Sequence, residues 1–390
     1  MEDKREQRRR ARKKQIYRRV VLASSAIILT VVIILMAIGK GGQEFAEPQE
    51  EVSQENQLTE PATEQAELET EPAVKDFTMF FTGDIMLENA ISKYDSQGMD
   101  GILSSYLQKE MTDADMTVIN HEFPFSTRGE KAPDKQFTFR VNPSYVTALT
   151  DMGVDVASLA NNHALDFGQE ALLDTFTTLD NAGIPYVGAG ETKERAEEAI
   201  YVEANGRTVG VLSASRVIPV HTWNITSSQP GLFCTYDSTR LVERIQEIED
   251  SCDFVVVFVH WGLERKTYPE EYQRELAKQY IDAGADLVVG NHAHVPQGIE
   301  YYKGVPIVYC LGNYIFNPNM VDTYALKVVW DAENQTKLQV IPIGTTDLLT
   351  SELNDQETAD FYAYLESISF DVAIDEAGMV TEIGANNISE

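Results

Sequence analysis

The fold of this chain is decided by one stretch of sequence, Ala-Asn-Asn-His-Ala-Leu-Asp-Phe-Gly at residues 160–168. It follows an apolar run at 154–159, and Gly168 then opens a helical pattern. An apolar run that stops in amides, an imidazole and a carboxylate is typical of a buried strand that brings polar groups to the carboxyl end of a parallel sheet. The stretch therefore predicts an α/β sheet with a functional site at that end.

Four other apolar runs end in the same way. The runs and the polar residues that follow them are 77–82 with Asp84, 116–119 with Asn120 and Glu122, 254–259 with His260, and 287–289 with His292 and His294. Carboxylates, amides and imidazoles are the common protein ligands of divalent metals. Because alternate residues of an extended segment point the same way, both imidazoles of His292 and His294 can face one centre. We therefore expect a metal site.

Composition limits the function classes. The chain has 390 residues, 43% of them hydrophobic, which is enough for at least one large core. The formal net charge is −31, although the first nineteen residues carry ten Lys and Arg against three acidic residues. The rest of the chain is therefore strongly acidic and repels nucleic acid, so we expect no nucleic-acid partner. Three cysteines without CxxC spacing, Cys234, Cys252 and Cys310, form neither a disulfide framework nor a cysteine metal site.

The amino-terminal part predicts membrane attachment. Residues 20–38 contain no charged side chain and directly follow the basic segment 1–19. Nineteen helical residues rise about 28 Å, close to the thickness of the bilayer's hydrocarbon core. We expect a single-pass anchor in the cell membrane, with the basic segment in the cytoplasm and the carboxyl-terminal domain outside the cell. A cleaved signal peptide also begins with a basic region and is the alternative.

The rest of the chain divides by composition. Residues 39–75 contain ten Glu and three Pro and are expected to be a disordered acidic linker. A domain at 77–345 follows, and residues 346–390 are expected to be an acidic carboxyl-terminal extension with one helical stretch near 357–368.

Within the domain, short apolar runs alternate with amphipathic stretches. The predicted helices are 143–152, 169–182, 238–250 and 270–283, and further strands fit 201–203, 208–213, 305–311, 324–330 and 338–343. Strands that alternate with helices favour an α/β layered fold. The late strands have no helix between them, which also suggests an antiparallel part.

Taken together, these motifs resemble the capsule-synthesis CapA family, also called the poly-γ-glutamate biosynthesis (PgsA-like) family. The pieces that carry the resemblance are Gly-Asp-Ile-Met at 83–86, Asn-His-Glu at 120–122, the 160–168 stretch, His-Trp-Gly-Leu-Glu at 260–264, Gly-Asn-His-Ala-His-Val at 290–295, and Tyr-Cys-Leu-Gly-Asn-Tyr-Ile-Phe at 309–316. The family is similar to the calcineurin-like metallophosphoesterases. The resemblance therefore implies a layered sandwich of two central mixed β-sheets flanked by helices, preceded here by the transmembrane helix.

The resemblance also implies a divalent metal ion, Mn, Zn, Fe or Mg, at one or two positions in each chain. The residues implied as ligands are Glu122 as a bridge with Asn162, His260 and His292 at one position, and Asp84, Glu122 and His294 at the other. His163 would be the catalytic residue beside the substrate, where it would donate a proton or stabilise developing negative charge. A structural histidine is the alternative for His163.

Six further residues are expected to contact the substrate or to support the ligands: Asn161, Asp166, Trp261, Glu264, Asn313 and Arg140. Glu264 would orient His260 or contact the substrate. Asn313 would hold the loop beneath the ligands, and Arg140 would meet an anionic substrate. Trp261 would either line the pocket or pack in the core.

Two departures weaken one of the metal positions. The metallophosphoesterase pattern has Asp-x-His at the first motif, where this chain has Met86, and a thioether is a poor ligand for a hard cation. The second motif offers Asn-x-Glu where Gly-Asp-x-x-Asp is expected, so a mononuclear site stays open. The last motif reads Gly-Asn-His-Ala-His instead of the commoner Gly-His-His-Pro-His, which keeps the two presumed ligands.

Three functions compete. The first is an anchored CapA-like protein in the synthesis, export or attachment of poly-γ-glutamate or a related polyanionic surface polymer, with hydrolysis or transfer of amide bonds at the metal. The second is a metal-dependent phosphoesterase that acts on a phosphate ester of the cell envelope. The third is a non-catalytic accessory subunit of a polymer synthase complex.

Overall fold

The computed structural model describes residues 75–226, 229–318 and 320–384. The basic segment 1–19, the expected anchor at 20–38 and the linker up to residue 74 lie outside these residues. Among the described residues, none of the helices combines the length and the apolar content that a bilayer-spanning segment needs.

The described residues contain eighteen strands and eight α-helices. In chain order the strands are β1 (Phe77–Ile85), β2 (Met116–His121), β3 (Val156–Ser158), β4 (Tyr186–Val187), β5 (Ala189–Gly190), β6 (Ile200–Ala204), β7 (Arg207–Ser215), β8 (Gly231–Leu232), β9 (Phe254–His260), β10 (Leu287–Asn291), β11 (Gln297–Tyr302), β12 (Val305–Cys310), β13 (Asn313–Ile315), β14 (Thr323–Trp330), β15 (Thr336–Thr346), β16 (Leu349–Glu352), β17 (Val372–Ile374) and β18 (Met379–Glu382). The helices are α1 (Ile91–Gln97), α2 (Ser105–Asp113), α3 (Thr147–Asp151), α4 (Gly168–Ala182), α5 (Lys193–Ala196), α6 (Thr239–Glu249), α7 (Glu271–Ala283) and α8 (Asp355–Ser367).

Two mixed sheets form the centre of the described domain. The larger sheet has the order β17-β18-β15-β14-β1-β2-β3-β4, with β13 beside β1 and β16 beside β15. Strands β1 to β4 pair in parallel, whereas β14 and β15 pair in antiparallel fashion, as the closely spaced late strands predicted. The smaller sheet has the order β11-β12-β10-β9-β7-β6, and its four central strands are parallel. The predicted α/β class with helix-flanked mixed sheets is confirmed.

The two sheets pack face to face through alternate residues of their strands. The ring of Phe81 on β1 stacks on Phe258 of β9, with centroids 6.1 Å apart. The hydroxyl oxygens of Ser158 and Ser213 lie 2.7 Å apart and join β3 to β7. Because side chains alternate along a strand, the inward row of β9 that contains Phe258 continues to His260 at the end of the strand.

Helices cover the outer faces of both sheets. On the larger sheet, Leu107 of α2 and Leu172 of α4 belong to the outer apolar cluster. On the smaller sheet, Ile245 of α6 and Ile281 of α7 belong to a separate apolar cluster between the helices and that sheet. The predicted helices at 169–182, 238–250 and 270–283 correspond to α4, α6 and α7 to within one residue at each end.

The segment after residue 345 is part of the sandwich. Strands β16 and β18 pair with β15, and β17 pairs with β18. Helix α8, expected at 357–368, places Phe361 and Leu365 in the core between the sheets. Strands β16, β17 and β18 were not predicted from the sequence, because strands of three or four residues are too short to show an alternation pattern.

Candidate metal centre

The candidate site lies where the carboxyl ends of the parallel strands of both sheets meet. Asp84 and Asn120 are the second-last residues of β1 and β2. His260 ends β9 in the other sheet. The side-chain amide nitrogen of Asn120 lies 2.7 Å from Asp84 Oδ1 and 3.3 Å from His260 Nδ1, so Asn120 connects the two sheets at this point.

A buried acidic pair with one histidine forms the centre of the site. Asp84, Glu122 and His294 place one potential ligand atom each within 4.8 Å of one another. Both carboxylates are completely buried. His294 Nδ1 lies 3.1 Å from Asp84 Oδ2 and 2.8 Å from the side-chain oxygen of Asn313, and His294 Nε2 lies 4.0 Å from Glu122 Oε1.

A second group of expected ligands lies beside this cluster. His260 Nε2 lies 2.9 Å from Asn162 Oδ1. The ring centroids of His260 and His292 are 4.6 Å apart, and those of His292 and His294 are 5.9 Å apart. The fold thus brings three imidazoles from two segments together with an amide from the 160–168 stretch.

Burial and charge set the protonation of the cluster. Burial raises the pKa of Glu122 well above its usual value, and the neighbouring charge of Asp84 raises it further. Burial opposes a charge on His294, but the two carboxylates outweigh burial and raise the pKa of His294 to about 10. Burial lowers the pKa of His292 to about 3 and that of His260 well below its usual value, so both imidazoles are neutral at pH 7.

The donor set fits a divalent cation. Glu122 Oε1 and His292 Nδ1 are buried and have no hydrogen-bond partner, which is costly unless a further group binds them. Carboxylate oxygens, an amide oxygen and neutral imidazole nitrogens together suit Mn²⁺, Zn²⁺ or Fe²⁺, and Mg²⁺ with the oxygen ligands. Met86 is buried, and its backbone nitrogen donates to the carbonyl of Ile315 at 2.7 Å.

His163 lies at the edge of the cluster, and contacts on the far side of its ring hold it in position. Its Nε2 is 3.9 Å from Glu122 Oε1, and its Nδ1 is 2.7 Å from Asp166 Oδ2. Burial lowers the pKa of His163, although Asp166 opposes this. Asn161 supports the same turn, because its side-chain oxygen accepts from the His163 backbone nitrogen at 3.0 Å and its amide nitrogen donates to the carbonyl of His121 at 2.8 Å.

Lys135 is a site residue that the sequence analysis missed. Its side chain is 11% exposed, and its Nζ donates to the carbonyl of Asn162 at 2.5 Å, forms an ion pair with Asp166 and lies 2.8 Å from His163 Nδ1. Burial lowers the pKa of Lys135, and Asp166 opposes the shift. Lys135 comes from an irregular loop without an apolar run, so no strand-end pattern pointed to it.

The other four expected supporting residues differ in their surroundings. Trp261 is completely buried, and its indole nitrogen donates to the carbonyl of Tyr309 at 2.9 Å, so it packs in the core. The guanidinium of Arg140 stacks on Phe167 at 4.0 Å. Glu264 is exposed, and the contacts of His260 described above come from amides instead. Asn313 contacts His294, as the loop-holding role requires.

The loop that carries His292 and His294 has an unusual backbone. Both residues have positive φ angles, 100° and 58°, which residues with a side chain rarely adopt. Gly290 precedes them, and a Cβ at that position would lie 2.0 Å from the carbonyl oxygen of Tyr309. Glycine is therefore required where the strand passes close to its neighbour.

Comparison with known proteins adds a consistent set of relatives. Residues 78–318 match the family described as "Bacterial capsule synthesis protein PGA_cap". The chain is 34% identical over 246 residues to the "PGA biosynthesis protein CapA" of Bacillus subtilis (strain 168), which covers 62% of this chain and 64% of that protein. It is 32% identical over 295 residues to the "Capsule biosynthesis protein CapA" of Bacillus anthracis, covering 71% and 70%.

A third relative carries a different description. The chain is 32% identical over 215 residues to a "Probable polyglutamine synthesis accessory protein" of Mycobacterium tuberculosis, which covers 53% of this chain and 57% of that protein. The match thus spans less than two thirds of the Bacillus subtilis and Mycobacterium tuberculosis relatives.

The first prediction concerns metal binding. Adding Mn²⁺ should raise the melting temperature of the full-length protein, since a ligand at 100 times its dissociation constant stabilises the folded state by about 2.7 kcal/mol. Glu122→Gln should abolish the shift, because it removes the carboxylate shared by the cluster, whereas Glu333→Gln in the exposed turn between β14 and β15 should keep it. Differential scanning calorimetry with and without EDTA measures both. An equal shift in Glu122→Gln would exclude this cluster as the binding site.

The second prediction concerns Lys135. Lys135→Met should destabilise the protein by about 3 to 5 kcal/mol, because it leaves the buried Asp166 carboxylate without its cation. Adding Asp166→Asn should recover part of this loss, as chemical denaturation of the two single variants and the double variant will measure. Lys303→Met breaks an exposed pair with Asp282 and should cost less than about 1 kcal/mol. Strict additivity of the Lys135 and Asp166 effects would contradict the buried pair.

Proposed function

Because the chain belongs to the bacterial capsule synthesis protein family PGA_cap, we propose that it serves the production of a γ-linked polyglutamate or a related polyanionic surface polymer. We propose further that it hydrolyses or transfers amide bonds of that polymer at a divalent-metal centre. The observation that carries this proposal is the buried ligand cluster of Asp84, Glu122 and His294, with His163 directed at it from 3.9 Å.

The metal would be held by the residues at the strand ends. Asp84, Glu122 and His294 would form one part of the set, and Asn162, His260 and His292 would form the other. A bound divalent ion supplies a Lewis acid that polarises a carbonyl oxygen and makes water a better nucleophile near neutral pH. Its charge would also offset the repulsion between the two buried carboxylates.

The chain's own side chains would orient the substrate and handle charge. His163 Nε2 faces the cluster. In the tautomer whose Nδ1 accepts from Lys135 Nζ, Nε2 carries the ring proton, and a hydrogen bond from it would stabilise negative charge developing on the carbonyl oxygen or pass that proton to the leaving amine. Asp166 and Lys135 fix the opposite side of the ring, so that Nε2 stays directed inward. The rings of Phe139 and Phe316 lie 4.5 Å from His163 and 4.9 Å from His294, and they cover these imidazoles on that side.

A second candidate is supported by the description of the mycobacterial relative as an accessory protein. In that case the chain would keep the fold and support a polymer synthase complex without turnover. A phosphoesterase that acts on an envelope phosphate ester would use the same metal ligands. The substrate that is cleaved distinguishes this function from amide hydrolysis.

The location of the protein is part of the proposal. We propose that residues 20–38 anchor the chain in the cell membrane and that the metal-site domain lies outside the cell, because the apolar segment follows a basic one. The domain would then meet the polymer on the side where a capsule is assembled.

The third prediction tests catalysis. Full-length protein with Mn²⁺ should shorten γ-linked glutamate oligomers or join them to an added amine, which mass spectrometry and the appearance of new amino groups will measure. Glu122→Gln should lower the rate by about 100-fold or more, since removing electrostatic stabilisation of this kind costs that much, and Glu333→Gln should leave it unchanged.

Other outcomes of the same experiment select the competing functions. Cleavage of a chromogenic phosphodiester, with oligomers unchanged, would indicate the phosphoesterase. In a deletion strain, full recovery of the polymer by Glu122→Gln would indicate the accessory role and refute catalysis.

The fourth prediction tests topology. Protease added to intact cells should digest the chain from about residue 40 onward and leave the basic segment and the anchor protected, because only the following part would lie outside. Immunoblotting with tags at either end measures this. A protected carboxyl-terminal tag would reverse the orientation, and a mature chain that begins after residue 38 would indicate the cleaved signal peptide.

A further inference from the structure

Asn291 is a polar residue of the site to which neither the sequence motifs nor the proposed ligand set gives a role. It ends β10, where it pairs with His260 of β9. Leu287 and Val289, four and two residues before it, face the other sheet in the inter-sheet core. Because side chains alternate along a strand and paired residues of parallel strands share a face, Asn291 lies beside His260 on the inner face of the sheet, toward the candidate ligands.

The side chain of Asn291 is buried without partners. It is 1% exposed, and neither its Oδ1 nor its Nδ2 has a hydrogen-bond partner. The other amides of the site are all paired: Asn120, Asn161, Asn162 and Asn313 each contact another side chain or a carbonyl. A carboxamide buried in this way destabilises the fold unless another group binds it.

The unpaired atoms near Asn291 form a group. Glu122 Oε1 and His292 Nδ1 are also buried and unpaired, and His292 directly follows Asn291. Glu122 follows the end of β2 in the larger sheet, whereas Asn291 and His292 lie at the end of β10 in the smaller sheet, beside His260. Both strand ends lie at the edge where the two sheets meet, and each carries buried atoms without a partner. A cation is the ligand that satisfies several acceptors at once, whereas a hydrogen-bond donor satisfies one or two.

We infer that Asn291 Oδ1 belongs to the ion-binding set of this centre. The inference rests on the proposed metal site and extends it by a neutral oxygen ligand. A neutral ligand is suited to this position because Asp84 and Glu122 already place two carboxylates in the cleft, and a third would add to their repulsion. The amide oxygen supplies a hard donor without further charge.

The experiment compares metal affinity with the stability of the metal-free protein. In the full-length protein, Asn291→Leu should weaken Mn²⁺ binding by roughly 10- to 100-fold in isothermal titration calorimetry. In EDTA the same variant should melt at the same temperature as the wild type or higher, because it removes an unpaired buried amide. Asn291→Asp keeps an oxygen ligand and should bind Mn²⁺ at least as tightly as the wild type, while its metal-free form melts at a lower temperature.

Gln273→Leu is the matched control, because Gln273 is a completely buried amide that is paired with Gln297 and with the Glu270 backbone nitrogen outside the site. It should lower the melting temperature in EDTA and leave Mn²⁺ affinity unchanged. Wild-type affinity in Asn291→Leu, or a loss of metal-free stability like that of Gln273→Leu, overturns the inference alone. A wild-type protein that binds no Mn²⁺ overturns the proposed metal site together with it.

Discussion

The structure depends on the burial of two carboxyl groups at one point. Asp84 and Glu122 are completely shielded from water and lie within 4.8 Å of the same histidine nitrogen. If both groups were ionised without compensation, they would destabilise the domain, because each charge would lose its hydration and repel the other. Asn120 donates toward both carboxylates, and His294 faces both of them, so the immediate surroundings are arranged around this pair.

The sandwich explains how these groups meet although they lie far apart in the sequence. Parallel strands of one sheet end at the same edge, and the two sheets face each other over an apolar core that includes Phe81 and Phe258. The polar residues that follow the apolar runs therefore converge at one end of the cleft. The contact of Ser158 with Ser213 links the two sheets near this end. The core thus determines the spacing of the site.

The sequence predicted the parts that follow from strand periodicity. The residues at the ends of β1, β2, β9 and β10, including Asp84 and His260, could be assigned because an apolar run that ends in a polar group has a physical meaning. Lys135 could not be found in this way, since it reaches the site from an irregular loop. The lack of hydrogen-bond partners at the Asn291 side chain could not be predicted either, because a sequence does not show whether a buried amide is paired.

For two residues, a role at the site was expected from the sequence, but their contacts lie elsewhere. Trp261 follows His260 directly, yet the alternation of side chains turns it to the other face of the sheet, where it packs in the outer core. Arg140 has the charge to meet an anion but stacks on Phe167. Strand periodicity thus predicted which residues reach the site better than adjacency in the sequence or the sign of a charge did.

The backbone of the 292–294 loop has a consequence for how a ligand is captured. Left-handed conformations at His292 and His294 cost on the order of 1–3 kcal/mol each, and the fold has already met this cost through the contacts around the loop. The imidazoles are therefore preorganised, and an arriving ion would lose little affinity to the ordering of flexible side chains. Such a site would select its occupant by rigid geometry, and an ion that requires a different arrangement of ligands would bind more weakly.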